Sequence, residues 1–165
     1  SSCGKCVLCR YGTKQMLDIL QDIVNGKGRA GDIELLQEIG DAVKNGSLCA
    51  LGGTAPNPAL TTIRYFRDEY EAPIKEKRCP ALSCRELISF YIIFDKCQGC
   101  GICARACPSE AIKGGKRMVH VIDQAKCVIC GTCLDVFPAK FSAVAISSGA
   151  PVKTVAEPVP VGGKA

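Results

Sequence analysis

The stretch CQGCGICARACP, residues 97–108, decides how this chain is read. Cys97, Cys100, Cys103 and Cys107-Pro108 follow the pattern C-x2-C-x2-C-x3-C-P without exception. Cysteines at intervals of three wrap a tight turn that presents thiolates to one face of an iron–sulfur cubane, while backbone N–H groups point at its sulfides. Gly99 and Gly101 leave room for the turn, and Pro108 redirects the chain after the fourth thiol, which reaches across to a second cluster. Zinc uses four ligands and has no need of such a run.

A weaker copy lies downstream. CQGCGICARACPSEAI, residues 97–112, is echoed by CVICGTCLDVFPAKFSAVAI, residues 127–146, and two copies imply a pseudo-twofold arrangement. The copy supplies Cys127, Cys130 and Cys133, and Cys107 completes that set of four. The reciprocal ligand is missing: Phe137-Pro138 stands where a cysteine would return to Cys97, Cys100 and Cys103, and phenylalanine does not ligate iron. Four explanations stay open: a [3Fe-4S] cluster, a substitute ligand such as Asp135 or a nearby cysteine, an open or solvent-ligated iron, and an altered sequence. Around these motifs Leu87 to Phe94, Lys113 to Ile122 about Gly114-Gly115, and Val144 to Ser148 read as short antiparallel strands, the middle stretch folding as a hairpin.

Upstream the texture is helical. Leu17, Leu20 and Val24 define one apolar face, Ile33, Leu36, Ile39 and Val43 a second, and Leu60, Ile63 and Phe66 a third. Asn25-Gly26, Gly31-Asp32, Asn45-Gly46 and Asn57-Pro58 punctuate them. Cys3, Cys6 and Cys9 form another C-x2-C-x2-C, whose fourth partner is the remote Cys49, so helix packing and cluster binding should support each other. Lys5 and Arg10 stand beside these thiolates, either offsetting their charge or simply solvated. The fold class expected is α+β: a small helical bundle with one [4Fe-4S] cluster over residues 1–72, a connector over 73–86, a two-cluster ferredoxin-like domain over 87–148, and an extended or disordered tail over 149–165.

Composition bounds the alternatives. Thirteen cysteines among 165 residues, with no Trp, leave a thin apolar core that bound metal must supplement. The formal charge of +5 is scattered and lacks a dense basic block, which argues against nucleic acid; thiolate-ligated clusters, being negative, absorb it. No apolar run is long enough to cross a bilayer, no leader pattern precedes Cys3, and a reducing cytoplasmic setting is expected. Cys79 and Cys84 belong to neither set; with His120, the only histidine, they offer donors for zinc, against the plainer alternative of two buried thiols and a surface imidazole.

Cys3-Gly4-Lys5-Cys6 through Cys9-Arg10, Gly12-Thr13, and Ser47-Leu48-Cys49-Ala50-Leu51-Gly52 resemble the C-terminal helical part of the NADH- and flavin-binding (51 kDa-like) subunit of respiratory complex I. The ferredoxin extension resembles the version in soluble NAD(P)-linked iron hydrogenases and formate dehydrogenases. The resemblance implies a [4Fe-4S] cluster at Cys3, Cys6, Cys9 and Cys49 that takes electrons from flavin, and an anaerobic metabolism. It implies as partners the other subunits of a multisubunit oxidoreductase and a soluble ferredoxin. No GxGxxG or comparable phosphate cradle occurs, so the clusters are carried over and nucleotide catalysis is not expected of this chain alone. The rival readings are a zinc-stabilised docking adaptor and an enzyme with substrate at an open iron; no general base or nucleotide pocket supports the latter.

Overall fold

A computed structural model describes residues 2–136, 143–149, 152 and 154–162. It divides into two compact units, Ser1–Leu87 and Ile88–Ala165. No helix among the described residues is long and apolar enough to cross a membrane.

The first unit is helical. A π-helical turn, Leu8–Gly12, runs directly into α1, Thr13–Val24, which ends where the Asn25 N–H donates to Gln21 and Ile23 carbonyls. The glycine ahead of α2, Asp32–Gly46, has φ +96°, and the Asp32 carboxylate accepts from the Arg29 N–H at 2.8 Å. Asp32 and Glu34 in the first turn and Lys44 in the last suit the helix dipole. Three short helices follow: α3, Ala50–Thr54; α4, Asn57–Tyr65, with Pro58 in its first turn; and α5, Arg67–Glu71, which passes into a second π-helical turn, Ala72–Glu76.

Met16, Ile23, Ile33, Leu36 and Ile63 form the core of this unit, with Ile19, Leu20, Tyr70 and Ile74 against it. The buried stripe of α1 is therefore Met16, Ile19, Leu20 and Ile23, and not the predicted Leu17, Leu20 and Val24; Leu17 and Val24 are 47% and 44% exposed. The sequence offers both stripes at helical spacing, and the one with four apolar members wins. Phe66 is exposed because α4 stops at Tyr65 and the backbone turns at φ −131°, ψ 39°. Ala72, Cys79 and Leu87 are buried, and the Lys77 ammonium donates to the Gly28 carbonyl at 2.8 Å, so residues 73–86 pack with the helices.

The second unit holds two small antiparallel sheets. Strand β1, Ser89–Ile92, pairs with β4, Val144–Ser147, in the register Phe90 opposite Ile146; β2, Ile112–Lys113, pairs with β3, Val121–Ile122. The hairpin is tied by the Lys113–Asp123 ion pair at 2.9 Å. The two cysteine repeats are built alike: Gly101 at φ +72° precedes α6, Ile102–Ala106, and Gly131 at φ +82° precedes α7, Thr132–Asp135. Two residues earlier, Gly99 at φ +66° is matched by Ile129 at φ +52°. The core comprises Phe90, Ile92, Ile112, Val119, Ile122 and Val144 together with Cys97, Cys103 and Cys133, so thiols sit where a small domain would otherwise place hydrophobes. The tail contributes too: Val155 and Val159 pack against this core.

Candidate functional site

No disulfide joins any of the thirteen cysteines. Cys107, Cys127, Cys130 and Cys133 line one pocket, whose remaining wall includes Phe90, Ala111, Ile112 and Ile122. Burial pushes the Cys133 thiol up to about 11, and the neighbouring Cys127, Cys130 and Cys107 add to the shift because thiolates crowd one another. Such crowding without a positive charge inside is costly, and a cationic iron core relieves it. Two of the four are shifted toward the thiolate form. Burial would raise Cys107, but the Ser109 hydroxyl at 3.5 Å and the amides of Ala111, Ser109 and Ile112 pull it below the usual thiol value. Cys130 is lowered by the Thr132 hydroxyl at 3.3 Å and by backbone N–H groups. The donor set fits a cluster held by four sulfurs.

Cys97, Cys100 and Cys103 also converge. Cys103, 2% exposed, is pushed up to about 11 by burial and then by the charges of Cys97 and Cys100, with a smaller effect from Cys133 in the other repeat. The His120 amide donates to the Cys97 sulfur at 3.5 Å. Gly99 is required twice over: its φ is left-handed, and a Cβ there would lie 2.7 Å from both Arg117 Cα and the Met118 nitrogen. Phe137, the position of the missing fourth ligand, lies outside the described residues. Asp135, one of the substitutes considered, is exposed at the end of α7.

In the helical unit, Cys3 and Cys6 lie on the segment that enters the first π-helical turn, and Cys9 lies within that turn. Gly4 there has φ +83°, the Arg10 N–H donates to the Cys6 carbonyl at 3.0 Å, and the Arg10 guanidinium donates to the Ser2 carbonyl at 2.5 Å. That guanidinium closes the loop on itself. Cys9 is buried, its sulfur 3.5 Å from the Ser2 hydroxyl. Cys49 has extended backbone immediately before α3, and Gly52, one turn further on, lies so close to the loop that a Cβ would stand 3.4 Å from Cys9 Cβ and 2.4 Å from the Ser47 side chain. The first turn of α3, which Cys49 precedes, is thus packed against Cys9. Lys5 is exposed.

Among the described residues, no group of three or more His, Cys, Asp or Glu side chains gathers as for a single metal ion. A cubane sets a different requirement, since it keeps its thiolates apart on separate irons. Cys79 and Cys84 belong to the first unit and His120 to the second. Burial would raise Cys79, yet backbone donors from Cys84 and Ser83 and the Cys84 thiol lower it; burial pushes Cys84 up to about 11. His120 is a buried side chain, not a surface one: it is 2% exposed, burial lowers its pKa, and its Nδ1 has no hydrogen-bond partner among the described residues. Sequence reasoning missed the hydroxyls at Ser2, Ser109 and Thr132 beside the sulfurs. A Ser or Thr two residues after a cysteine, as in Cys107-Pro108-Ser109 and Cys130-Gly131-Thr132, is the signal that finds two of them.

Residues 1–73 match the family described as the NADH-ubiquinone oxidoreductase-F iron-sulfur binding region, and residues 90–113 match the 4Fe-4S binding domain. The chain is 44% identical over 119 residues to the NADP-reducing hydrogenase subunit HndC of Solidesulfovibrio fructosivorans, an alignment covering 72% of this chain and 24% of that protein. It is 44% identical over 79 residues to the F-type subunit of the NADH-quinone oxidoreductase of Streptomyces coelicolor, covering 48% of this chain and 18% of that one. With the mitochondrial NADH-ubiquinone oxidoreductase 51 kDa subunit of Aspergillus niger it shares 40% over 75 residues, 46% of this chain and 15% of the relative. The chain therefore spans a quarter or less of the length of these relatives.

Proposed function

We propose, from the premise that this chain is an iron–sulfur electron-transfer module of the NADH-quinone oxidoreductase F type joined to a 4Fe-4S domain, that it relays electrons within a soluble NAD(P)-linked hydrogenase complex. On this reading it works between a flavin- and NAD(P)H-bearing part and a ferredoxin or second redox subunit. The observation that carries it is the reach of the hydrogenase likeness. An alignment of 119 residues does not fit within Ser1–Leu87 and so extends into the ferredoxin-like unit, whereas the 79-residue likeness to the Streptomyces quinone reductase protein is short enough to lie within the helical unit.

Cys3, Cys6, Cys9 and Cys49 are assigned to one cluster, Cys107, Cys127, Cys130 and Cys133 to another, and Cys97, Cys100 and Cys103 to a third that is incomplete or [3Fe-4S]. When bound, such clusters supply reversible one-electron storage without proton chemistry. The protein's share is positional. Cys103 and Cys133 are buried, which would limit water at the inner faces of both ferredoxin-like sites. Cys103 and Cys133 belong to one buried core, which supports a reading in which the two sites sense each other's charge. Amide and hydroxyl donors from His120, Ser109 and Thr132 stabilise sulfur that carries negative charge and so favour the reduced state.

The experiment is anaerobic isolation of the native complex by an affinity tag on this chain. Copurification of hydrogen-dependent NAD(P)+ reduction is the expected result. Recovery of formate-dependent activity alone overturns the hydrogenase assignment, and a colourless, iron-free but folded chain overturns the relay itself.

A further inference from the structure

The tail of the second unit does more than trail from it. Val161 N–H donates to the Arg117 carbonyl at 2.9 Å, the Val119 N–H donates to the Val159 carbonyl at 2.7 Å, and Met118 and Pro160 form an antiparallel bridge. Residues 117–119 are thereby held on one side by the tail. On their other side lies the loop that starts at Cys97: Arg117 N–H donates to the Gly99 carbonyl at 3.4 Å, Gly99 abuts the Arg117 and Met118 backbone, and the His120 amide reaches the Cys97 sulfur. Val119, from which the tail accepts a hydrogen bond, is 1% exposed. Without the tail this amide would lose its acceptor in an apolar setting, and an unpaired buried N–H favours local opening. Val155 and Val159 anchor the segment on the same core that contains Cys97 and Cys103.

We propose that residues 154–162 form a strap that closes the Cys97, Cys100 and Cys103 site. By adding a strand to residues 117–119, the strap fixes the backbone wall of that site, limits water there, and leaves the Cys107, Cys127, Cys130, Cys133 site and the helical-unit site untouched. Water admitted to a cluster stabilises its more negative reduced form, so release of the strap raises the potential of this one site. The inference rests on the assignment of a cluster to Cys97, Cys100 and Cys103.

The test compares the full chain with a version ending at Gly149 and with Val161→Pro, which removes one backbone N–H donor at a residue that is 43% exposed. Anaerobic redox titration followed by paramagnetic resonance, iron release in air, and amide hydrogen exchange are measured on each. The strap predicts that one of the potentials becomes more positive, that iron is lost from one site roughly tenfold faster, and that Val119 protection falls by about the same factor, the scale of one or two lost backbone hydrogen bonds. In a Cys97→Ala background, where that site is removed, truncation moves no potential. Should truncation destabilise the whole second unit, the Val161→Pro comparison decides. Unchanged potentials and protection overturn the strap, as do equal shifts at every site. Absence of iron from this site in the full chain overturns the underlying cluster assignment instead.

Discussion

Replacing Gly99 by alanine tests whether the Cys97 loop depends on the backbone described. An L-residue at φ +66° carries a penalty of about 1–2 kcal/mol. The added Cβ would meet Arg117 Cα and Met118 N at 2.7 Å and Arg117 C at 2.8 Å, all backbone atoms that cannot rotate aside. Overpacking of that kind costs about 1–3 kcal/mol, giving roughly 2–5 kcal/mol in all. Against a domain stability of about 5–15 kcal/mol, that is a large fraction. Anaerobic urea denaturation of the loaded full chain, followed by visible absorption, is the assay, with iron counted before unfolding. The midpoint of the second unit's transition is expected to drop and the Cys97 site to lose its iron, about three or four atoms per chain. Ile129→Gly, at the matching position of the other repeat, trades strain at φ +52° against packing of a partly buried side chain, so its midpoint should stay within about 1 kcal/mol of the parent. A Gly99→Ala chain with parental midpoint and full iron would refute the reasoning.

Three further outcomes follow from the same geometry. Cys49→Ser should remove about four irons and lower the thermal midpoint of the helical signal, because the proposed cluster would tie the start of α3 to Cys3, Cys6 and Cys9; unchanged iron would exclude it as a ligand. Leu36→Ala, at a side chain 0% exposed, should cost the helical unit about 2–5 kcal/mol in far-ultraviolet circular dichroism while leaving the cluster signals of the second unit in place. Thr132→Val removes the hydroxyl 3.3 Å from the Cys130 sulfur, and should make one potential more negative by tens of millivolts (~20–40 mV), since a fraction of one hydrogen bond to charged sulfur is lost; no shift would mean that the hydroxyl does not favour the reduced state.

The cysteine spacing made the two repeats legible, because cluster geometry dictates intervals along the chain, and the matching left-handed glycines at Gly101 and Gly131 follow from the same turn. The alternation of helix and punctuation located α1, α2 and α4. Their buried faces were less legible: Leu17 and Met16 both fall on apolar stripes, and only the packing of α1 against neighbouring helices chooses between them. His120 could not be placed from sequence, since a histidine beside a glycine-rich hairpin reads as surface, whereas the hairpin folds its imidazole against Gly114. The tail was opaque for a different reason. Its valines and prolines have no period, and a strand defined by two backbone hydrogen bonds to a distant segment leaves no local pattern.

The grouped thiols are placed to hold inorganic iron sulfide. The most direct measurement is iron, acid-labile sulfide and disulfide content of anaerobically purified full chain, with paramagnetic resonance of oxidised and reduced samples. About eleven or twelve irons per chain with near-equal sulfide, and a three-iron signal in the oxidised sample if the lower count holds, are expected. Paired cysteines without labile sulfide, or stoichiometric zinc in place of iron, would contradict it.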